Sequence, residues 1–94
     1  MPEVAQKAKG GPPIRNAFGL EIRRMREAKG WFQADLARRL QLAGWDVERT
    51  VITKIELRRR CITDYELCFF AEILDVGLAE FLKPKRAALL ALLQ

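Results

Sequence analysis

The sequence predicts an all-α domain, and three observations lead to that class. Apolar residues recur at the three- and four-residue spacing of an amphipathic helix in several separate stretches. Glycine or proline separates these stretches, and no segment alternates apolar and polar residues as a half-buried strand would. The chain has 94 residues, enough for one hydrophobic core and too few for two. We therefore expect a compact five-helix domain followed by one apolar C-terminal helix.

Three helices are predicted in the first two thirds of the chain. The first is expected over residues 17–29 and the second over residues 33–42, because each carries apolar residues on one face. Gly30 and Gly44 follow them, and glycine commonly supplies the left-handed residue that ends a helix. The third helix is expected over residues 48–57.

The later helices are predicted from their ends as well as from their periodicity. Thr63 and Glu66 have the spacing of a capping box, in which two side chains satisfy each other's backbone amides, and a fourth helix should run from there to about Asp75. A short fifth helix is expected over residues 78–82. The last, apolar on nearly every side, is expected over residues 84–94.

The chain divides into three parts. Residues 1–15 contain paired glycines and paired prolines without helical periodicity, so we expect a flexible basic N-terminal arm. Residues 16–83 form the helical domain, and residues 84–94 form the C-terminal helix.

The longest apolar run has seven residues and a bilayer needs about 20, so no membrane span is expected. The N-terminus lacks the apolar stretch of a secretion signal, which makes the cytoplasm the expected location.

Composition argues against an enzyme and against a metalloprotein. The chain has no histidine, the commonest general acid/base and metal ligand. Two cysteines without histidine cannot complete a four-ligand zinc site, so no metal and no cofactor are expected. Cys68 falls on the amphipathic fourth helix and is expected in the core. Cys61 lies beside three arginines, where neighbouring cations favour a reactive thiolate, and a thiol sensor is one alternative.

Positive charge is concentrated in one half of the chain. The net charge is +5, but residues 15–60 hold twelve Lys and Arg against six Asp and Glu, a net +6, and residues 61–94 hold three against five, a net −2. A basic half beside a mildly acidic half suggests one face that meets a polyanion, with nucleic acid as the main candidate. Cations that simply solvate helix surfaces would give similar totals.

One ordered set of residues is more specific than composition or periodicity. It lies within residues 18–82 and consists of Ile22, Arg26-Glu27, Lys29-Gly30, Gln33-Ala34-Asp35-Leu36-Ala37, Ile52, Ile55-Glu56, Phe70-Ala71 and Leu74. This set resembles the helix-turn-helix domains of the phage-repressor/Cro family, also called the xenobiotic-response-element family. The resemblance implies a repressor-like fold that binds double-stranded DNA.

The family's geometry implies roles for individual side chains. The third helix becomes the recognition helix in the major groove. Five positions on it are expected to contact bases: Glu48, Arg49, Thr50, Thr53 and Lys54. Arg49 is expected to contact guanine O6 and N7 together, with a phosphate or solvent contact as the alternative. Four residues are expected to contact phosphates: Gln33, Arg15, Arg58 and Arg59.

Two further expectations concern stability and assembly. Arg26 and Glu56 match a pair that the family uses as an ion pair between the first helix and the end of the recognition helix. A homodimer on a roughly palindromic operator is expected, because one domain of this size has too little interface for strong specificity. Four leucines of the last helix are candidates for the dimer contact, with packing inside one chain as the alternative: Leu89, Leu90, Leu92 and Leu93.

Four departures from the family's pattern affect the expected site. Phe32 and Glu48 replace the small hydroxyl residues that usually cap the second and third helices. Residues 57–58 replace a glycine-containing helix end, and residues 41–46 lengthen the turn relative to the compact motif. Trp45 in this insertion is expected to plug the core, with stacking on sugar or base as the alternative.

The leading interpretation is a sequence-specific DNA-binding transcriptional regulator, and an enzyme is not expected. Glu48 and the lengthened turn motivate an alternative from another class. In that alternative the chain is a protein-interaction module, such as an antitoxin-like partner, for which DNA binding is secondary.

Overall fold

Five helices surround one hydrophobic core in the computed structural model of the chain, which describes residues 6–7 and 13–83. The helices are α1 (Gly19–Ala28), α2 (Gln33–Ala43), α3 (Arg49–Glu56), α4 (Asp64–Leu74) and α5 (Leu78–Leu82). Each begins and ends within about two residues of its expected bounds, and the predicted all-α class is confirmed. Within the described residues, no helix is both long and apolar enough to cross a membrane.

A short β ladder precedes the helices, and no pattern in the sequence predicts it. β1 (Gln6–Lys7) and β2 (Pro13–Ile14) pair antiparallel, with Gln6 opposite Ile14. Strands of two residues are too short to show the alternation by which strands are recognised. The other residues of the expected N-terminal arm, 1–5 and 8–12, lie outside the described residues. So do residues 84–94, which include the predicted dimer contacts Leu89, Leu90, Leu92 and Leu93.

Local side-chain hydrogen bonds mark where α1 and α4 begin. The Asn16 side chain accepts hydrogen bonds from the backbone N–H groups of Phe18 and Gly19, at 3.2 and 2.8 Å. Thr63 and Glu66 form the expected capping box. Thr63 Oγ1 accepts from the Glu66 N–H at 3.1 Å, and the Glu66 carboxylate accepts from the Thr63 N–H at 3.0 Å. Both starts are therefore set by residues within four positions of each other.

The core is built from the apolar faces of the five helices and the turn before α3. Its buried members are Ile22, Leu36, Ala37, Leu40, Val47, Ile52, Ile55, Phe70, Ala71, Leu74 and Phe81. The expectation that Cys68 lies in the core is wrong, because its side chain is exposed. Each residue advances about 100° around an α-helix, and this places Cys68 outside the stripe on α4 that contains Phe70 and Leu74.

The lengthened turn between α2 and α3 is ordered by its own hydrogen bonds and by one aromatic side chain. The Trp45 N–H donates to the last turn of α2 at 3.0 Å, and the Gln41 side-chain amide donates to the Val47 carbonyl at 2.7 Å. The Trp45 ring packs on Phe69 and Phe70, with centroid distances of 5.9 and 5.3 Å. Trp45 is thus partly buried and packs against the core under the lengthened turn, as expected of it.

Candidate nucleic-acid interface

α3 separates a buried inner face from a polar outer face. Ile52 and Ile55 are completely buried. The outer positions carry the residues expected to contact bases: Glu48, Arg49, Thr50 and Lys54 are exposed, and Thr53 is half-buried. Glu48 occupies the N-cap position but makes no side-chain capping hydrogen bond. The outer face therefore presents two cations, Arg49 and Lys54, to solvent.

A buried ion pair joins α1 to the end of α3, between the two residues that the resemblance pairs. Arg26 Nε lies 2.7 Å from Glu56 Oε2, and Arg26 Nη2 lies 3.0 Å from Glu56 Oε1. The residues are 8% and 3% exposed. The remaining nitrogen, Nη1, donates to the Trp31 carbonyl at 2.7 Å. The hydrogen bond with Glu56 raises the pKa of Arg26 above its ordinary value, so the guanidinium stays charged.

Gln33 extends this ion pair into a network that reaches the outer face of α3. The Gln33 amide donates to Glu56 Oε1 at 3.0 Å, and its carbonyl oxygen accepts from the Thr53 hydroxyl at 2.7 Å. The same hydroxyl lies 3.1 Å from the Arg49 carbonyl oxygen. The Thr53 hydroxyl has a single proton, which these contacts use, so it cannot donate to a nucleotide base. The Gln33 side-chain amide has two N–H groups, and one of them remains able to donate to a phosphate.

The contact between Gln33 and Glu56 was not predicted from the sequence. The two residues are 23 positions apart, so no local spacing signals the contact. The resemblance places the Gln33 side chain against the DNA backbone instead. The contact ties the start of α2 to the end of α3 and so restrains the angle between the two helices. The sequence of the lengthened turn does not predict that angle.

The segment before α1 holds the C-terminal end of α3. The Asn16 side-chain amide donates to the Ile55 carbonyl at 3.0 Å, and the Arg15 N–H donates to the Arg58 carbonyl at 2.9 Å. Gly19 approaches so closely that an added Cβ would collide with the Ile55 carbonyl oxygen. Two of the residues expected to contact phosphates, Arg15 and Arg58, are thus neighbours beside α3.

The three arginines that follow α3 differ in their surroundings. Arg58 adopts a φ of +61°, in the left-handed region that glycine favours at helix ends, and so occupies the conformation that the family's glycine would supply. Arg59 is exposed. Arg60 forms a bidentate ion pair with Glu66, with both N···O distances at 2.9 Å. Arg60 therefore ties the loop to the first turn of α4.

Glu66→Gln is expected to lower the free energy of unfolding by about 1 kcal/mol at neutral pH, a figure reduced for partial exposure of the pair. The hydrogen bond from Arg60 holds the pKa of Glu66 below its ordinary value. A carboxyl whose pKa is lowered by folding stabilises the protein above its unfolded pKa, about 4.3, and loses that contribution as the pH falls through the folded pKa. The difference between wild type and variant should therefore disappear in acid.

Urea unfolding from neutral pH down through the carboxyl range measures this difference. Glu72→Gln, at an exposed position on the same helix, is the control for loss of a negative charge from α4. A wild-type advantage over Glu66→Gln that stays constant from neutral to acid would contradict the prediction.

Aromatic and cationic side chains surround the start of α2. The Arg39 guanidinium carbon lies 4.1 Å from the centroid of the Trp31 ring, and Lys29 Nζ lies 5.3 Å from it. Phe32 occupies the N-cap position of α2 and is 79% exposed. Its ring has no acceptor, but the Asp35 carboxylate accepts from the Phe32 N–H at 2.8 Å. Asp35 thus supplies one half of a capping box, and the other half is missing.

The two cysteines contribute no crosslink. No disulfide joins Cys61 and Cys68, and both are exposed. Over residues 13–83, no group of three or more His, Cys, Asp or Glu side chains is arranged to hold a metal ion.

Comparison with known proteins finds similarity over most of the chain. A family model described as helix-turn-helix matches residues 22–81. The wild-type structure of the restriction-modification controller protein C.Esp1396I is 28% identical, with a TM-score of 0.60 over 71% of this chain and 80% of that one. A point mutant of the same controller is 27% identical, with a TM-score of 0.63 over 79% and 87%. The hypothetical transcription factor NHTF from Neisseria is 27% identical, with a TM-score of 0.63 over 81% and 84%. A search of curated proteins found no match.

Proposed function

The chain belongs to the helix-turn-helix family of DNA-binding regulators, and from this premise we propose that it is a sequence-specific transcriptional regulator that reads double-stranded DNA with α3. The outer face of α3 carries the proposal. It presents Arg49, Thr50 and Lys54 to solvent, while Ile52 and Ile55 anchor the helix in the core. In helix-turn-helix domains a recognition helix so anchored enters the major groove with its polar face toward the base edges. A hypothetical transcription factor and a restriction-modification controller among the similar structures support this role.

The base contacts are assigned by side-chain chemistry. The Arg49 guanidinium donates to O6 and N7 of one guanine, as its planar fork allows. Lys54 and Thr50 contact neighbouring base edges on the same face. Glu48, at the start of α3, accepts from the N4 amino group of a cytosine, because a carboxylate without such a donor would be repelled by phosphates. Thr53 reaches a base only as an acceptor, since its proton is engaged inside the protein.

The proposed phosphate contacts lie around the C-terminal half of α3 and the residues that follow it. Gln33 uses its second amide N–H, assisted by the positive end of α2. Arg15, Arg58 and Arg59 contact the backbone just beyond the C-terminal end of α3, where a backbone hydrogen bond joins Arg15 to Arg58. These contacts position the domain on the duplex but do not distinguish one base sequence from another.

We also propose that the regulator acts in the cytoplasm as a homodimer on two half-sites about one helical turn apart. Leu78 and Leu82 on α5 are 48% and 44% exposed and lie one turn apart, immediately before the apolar segment of residues 84–94. In a dimer, the second copy would cover these exposed leucines of α5. The contact would also include the four leucines Leu89, Leu90, Leu92 and Leu93. A chain truncated before Pro84 should sediment as a monomer. A folded truncated chain with the oligomeric state of the full chain would contradict the dimer assignment.

Selection of bound duplexes from a random pool, followed by a salt titration, tests the DNA-binding proposal. A common operator should emerge. Affinity for that operator should fall steeply with salt, since each neutralised phosphate contributes about −0.9 to the slope of log K against log salt concentration. A wild-type chain that selects no sequence and binds duplex without salt dependence would instead support a protein-interaction module.

A further inference from the structure

Phe32 places an exposed phenyl ring where helix chemistry favours a small polar side chain. An N-cap residue usually accepts a hydrogen bond from the first N–H groups of its helix, and a phenyl ring cannot do so. The ring is also 79% exposed to water. The residue therefore offers the free protein neither a cap nor full burial of its apolar surface.

The position of Phe32 relative to α3 suggests where the ring is used. Gln33, the next residue, accepts a hydrogen bond from Thr53 on α3 at 2.7 Å, and the Thr53 hydroxyl lies 3.1 Å from the Arg49 carbonyl. Phe32 is thus one residue away from the network that reaches the proposed base-reading face. Leu42, which is 83% exposed, lies near the opposite end of α2.

The cations held at the neighbouring residue, Trp31, favour a polyanion over an apolar protein surface as the partner of Phe32. Lys29 and Arg39 gather over the ring of Trp31, the residue immediately before Phe32. The carboxylate in the first turn of α2, Asp35, is turned back onto the Phe32 N–H. A duplex backbone alternates negative phosphates with less polar deoxyribose rings, and protein contacts to both help to position the protein. A phenyl ring on the residue that follows this cation-bearing tryptophan complements that alternation.

We propose that Phe32 packs against a deoxyribose of the DNA backbone at the edge of the major groove, while Lys29 and Arg39 attract the adjoining phosphates. This contact sets the position of α2 along the strand and reads no base. The inference rests on the proposed DNA-binding function and adds to it an apolar contact with the sugar.

Phe32→Ser tests the proposal because it separates binding from stability. A serine hydroxyl supplies the missing cap, so the variant should resist urea at least as well as wild type. Its affinity should nevertheless fall about five- to tenfold, equally on the selected operator and on random duplex, because a sugar contact is independent of sequence. The dependence of affinity on salt should not change, since no charge is removed. Leu42→Ser removes a comparably exposed apolar side chain from the same helix and should bind both duplexes like wild type.

The outcomes are distinguishable. Wild-type affinity in Phe32→Ser would overturn the sugar contact and leave the proposed function intact. A loss confined to the operator would also overturn it, because the ring would then be reading a base. A wild-type chain that binds neither duplex would overturn both proposals, and that measurement is made first.

Discussion

Arg26→Ala is expected to destabilise the fold by about 3–5 kcal/mol, a large share of the stability of a small domain. The substitution leaves Glu56, 3% exposed, as a buried carboxylate without its cation. It also removes the donor that satisfies the Trp31 carbonyl. Because Gln33 hydrogen-bonds to the same carboxylate, the network that holds α2 against α3 should loosen as well. Urea unfolding at neutral pH measures the loss.

Two comparisons show whether the ion pair is responsible. Arg23→Ala removes an arginine from the same helix, but one that pairs at 3.4 Å with Glu27 where both side chains are about half exposed, so the effect should stay within about 0.5 kcal/mol. Replacing Arg26 by Met and Glu56 by Leu together should recover most of the loss, because no buried charge is then left unpaired. A loss for Arg26→Ala no larger than that for Arg23→Ala would show that the pair does not hold α1 to α3.

Arg49→Ala is expected to weaken operator binding by about 1–3 kcal/mol, which is roughly 5- to 150-fold in affinity. The side chain is exposed, so the stability of the fold should hardly change. If the guanidinium donates to one guanine, the variant should lose its preference at a single base pair while other positions stay selective. Titration of labelled operator and of its single-base variants at fixed salt measures both effects.

Arg23→Ala is the matched control, because it removes the same charge from the exposed surface of α1, where Arg23 pairs with Glu27 at 3.4 Å. Its effect should be small and equal on operator and random duplex. Should Arg49→Ala weaken operator and random duplex equally, Arg49 would be a phosphate contact and not a base-reading residue.

The helices could be predicted because their signals are local. The Thr63–Glu66 capping box spans three residues, and the apolar stripe of each helix repeats within one or two turns. The family resemblance drawn over residues 18–82 is likewise carried by the order of residues in the sequence, and the family model over residues 22–81 confirms it. The exception is the pairing of β1 with β2, because two-residue strands carry no such repeat.

The site was only partly predictable, for a different reason. The resemblance indicated which residues lie on the outer face of α3, but not that Gln33 and Thr53 hydrogen-bond to each other across 20 positions. The sequence predicted Cys68 in the core with the apolar stripe of α4, but it lies exposed beside that stripe. Arg60 stands in a run of three arginines, but its bidentate pair with Glu66 gives it a structural partner.

By itself the sequence determined the all-α class, the helix bounds, the family and the residues that α3 exposes, since these depend on neighbours within a few positions or on their order along the chain. The tertiary structure alone decided how α2 is fastened to α3 and which polar groups are already engaged. The hydrogen bonds of Gln33 to Glu56 and to Thr53, across 23 and 20 positions, form only when packing brings their partners within about 3 Å. A small change in the crossing angle of α2 and α3 would break these hydrogen bonds without altering any local pattern in the sequence.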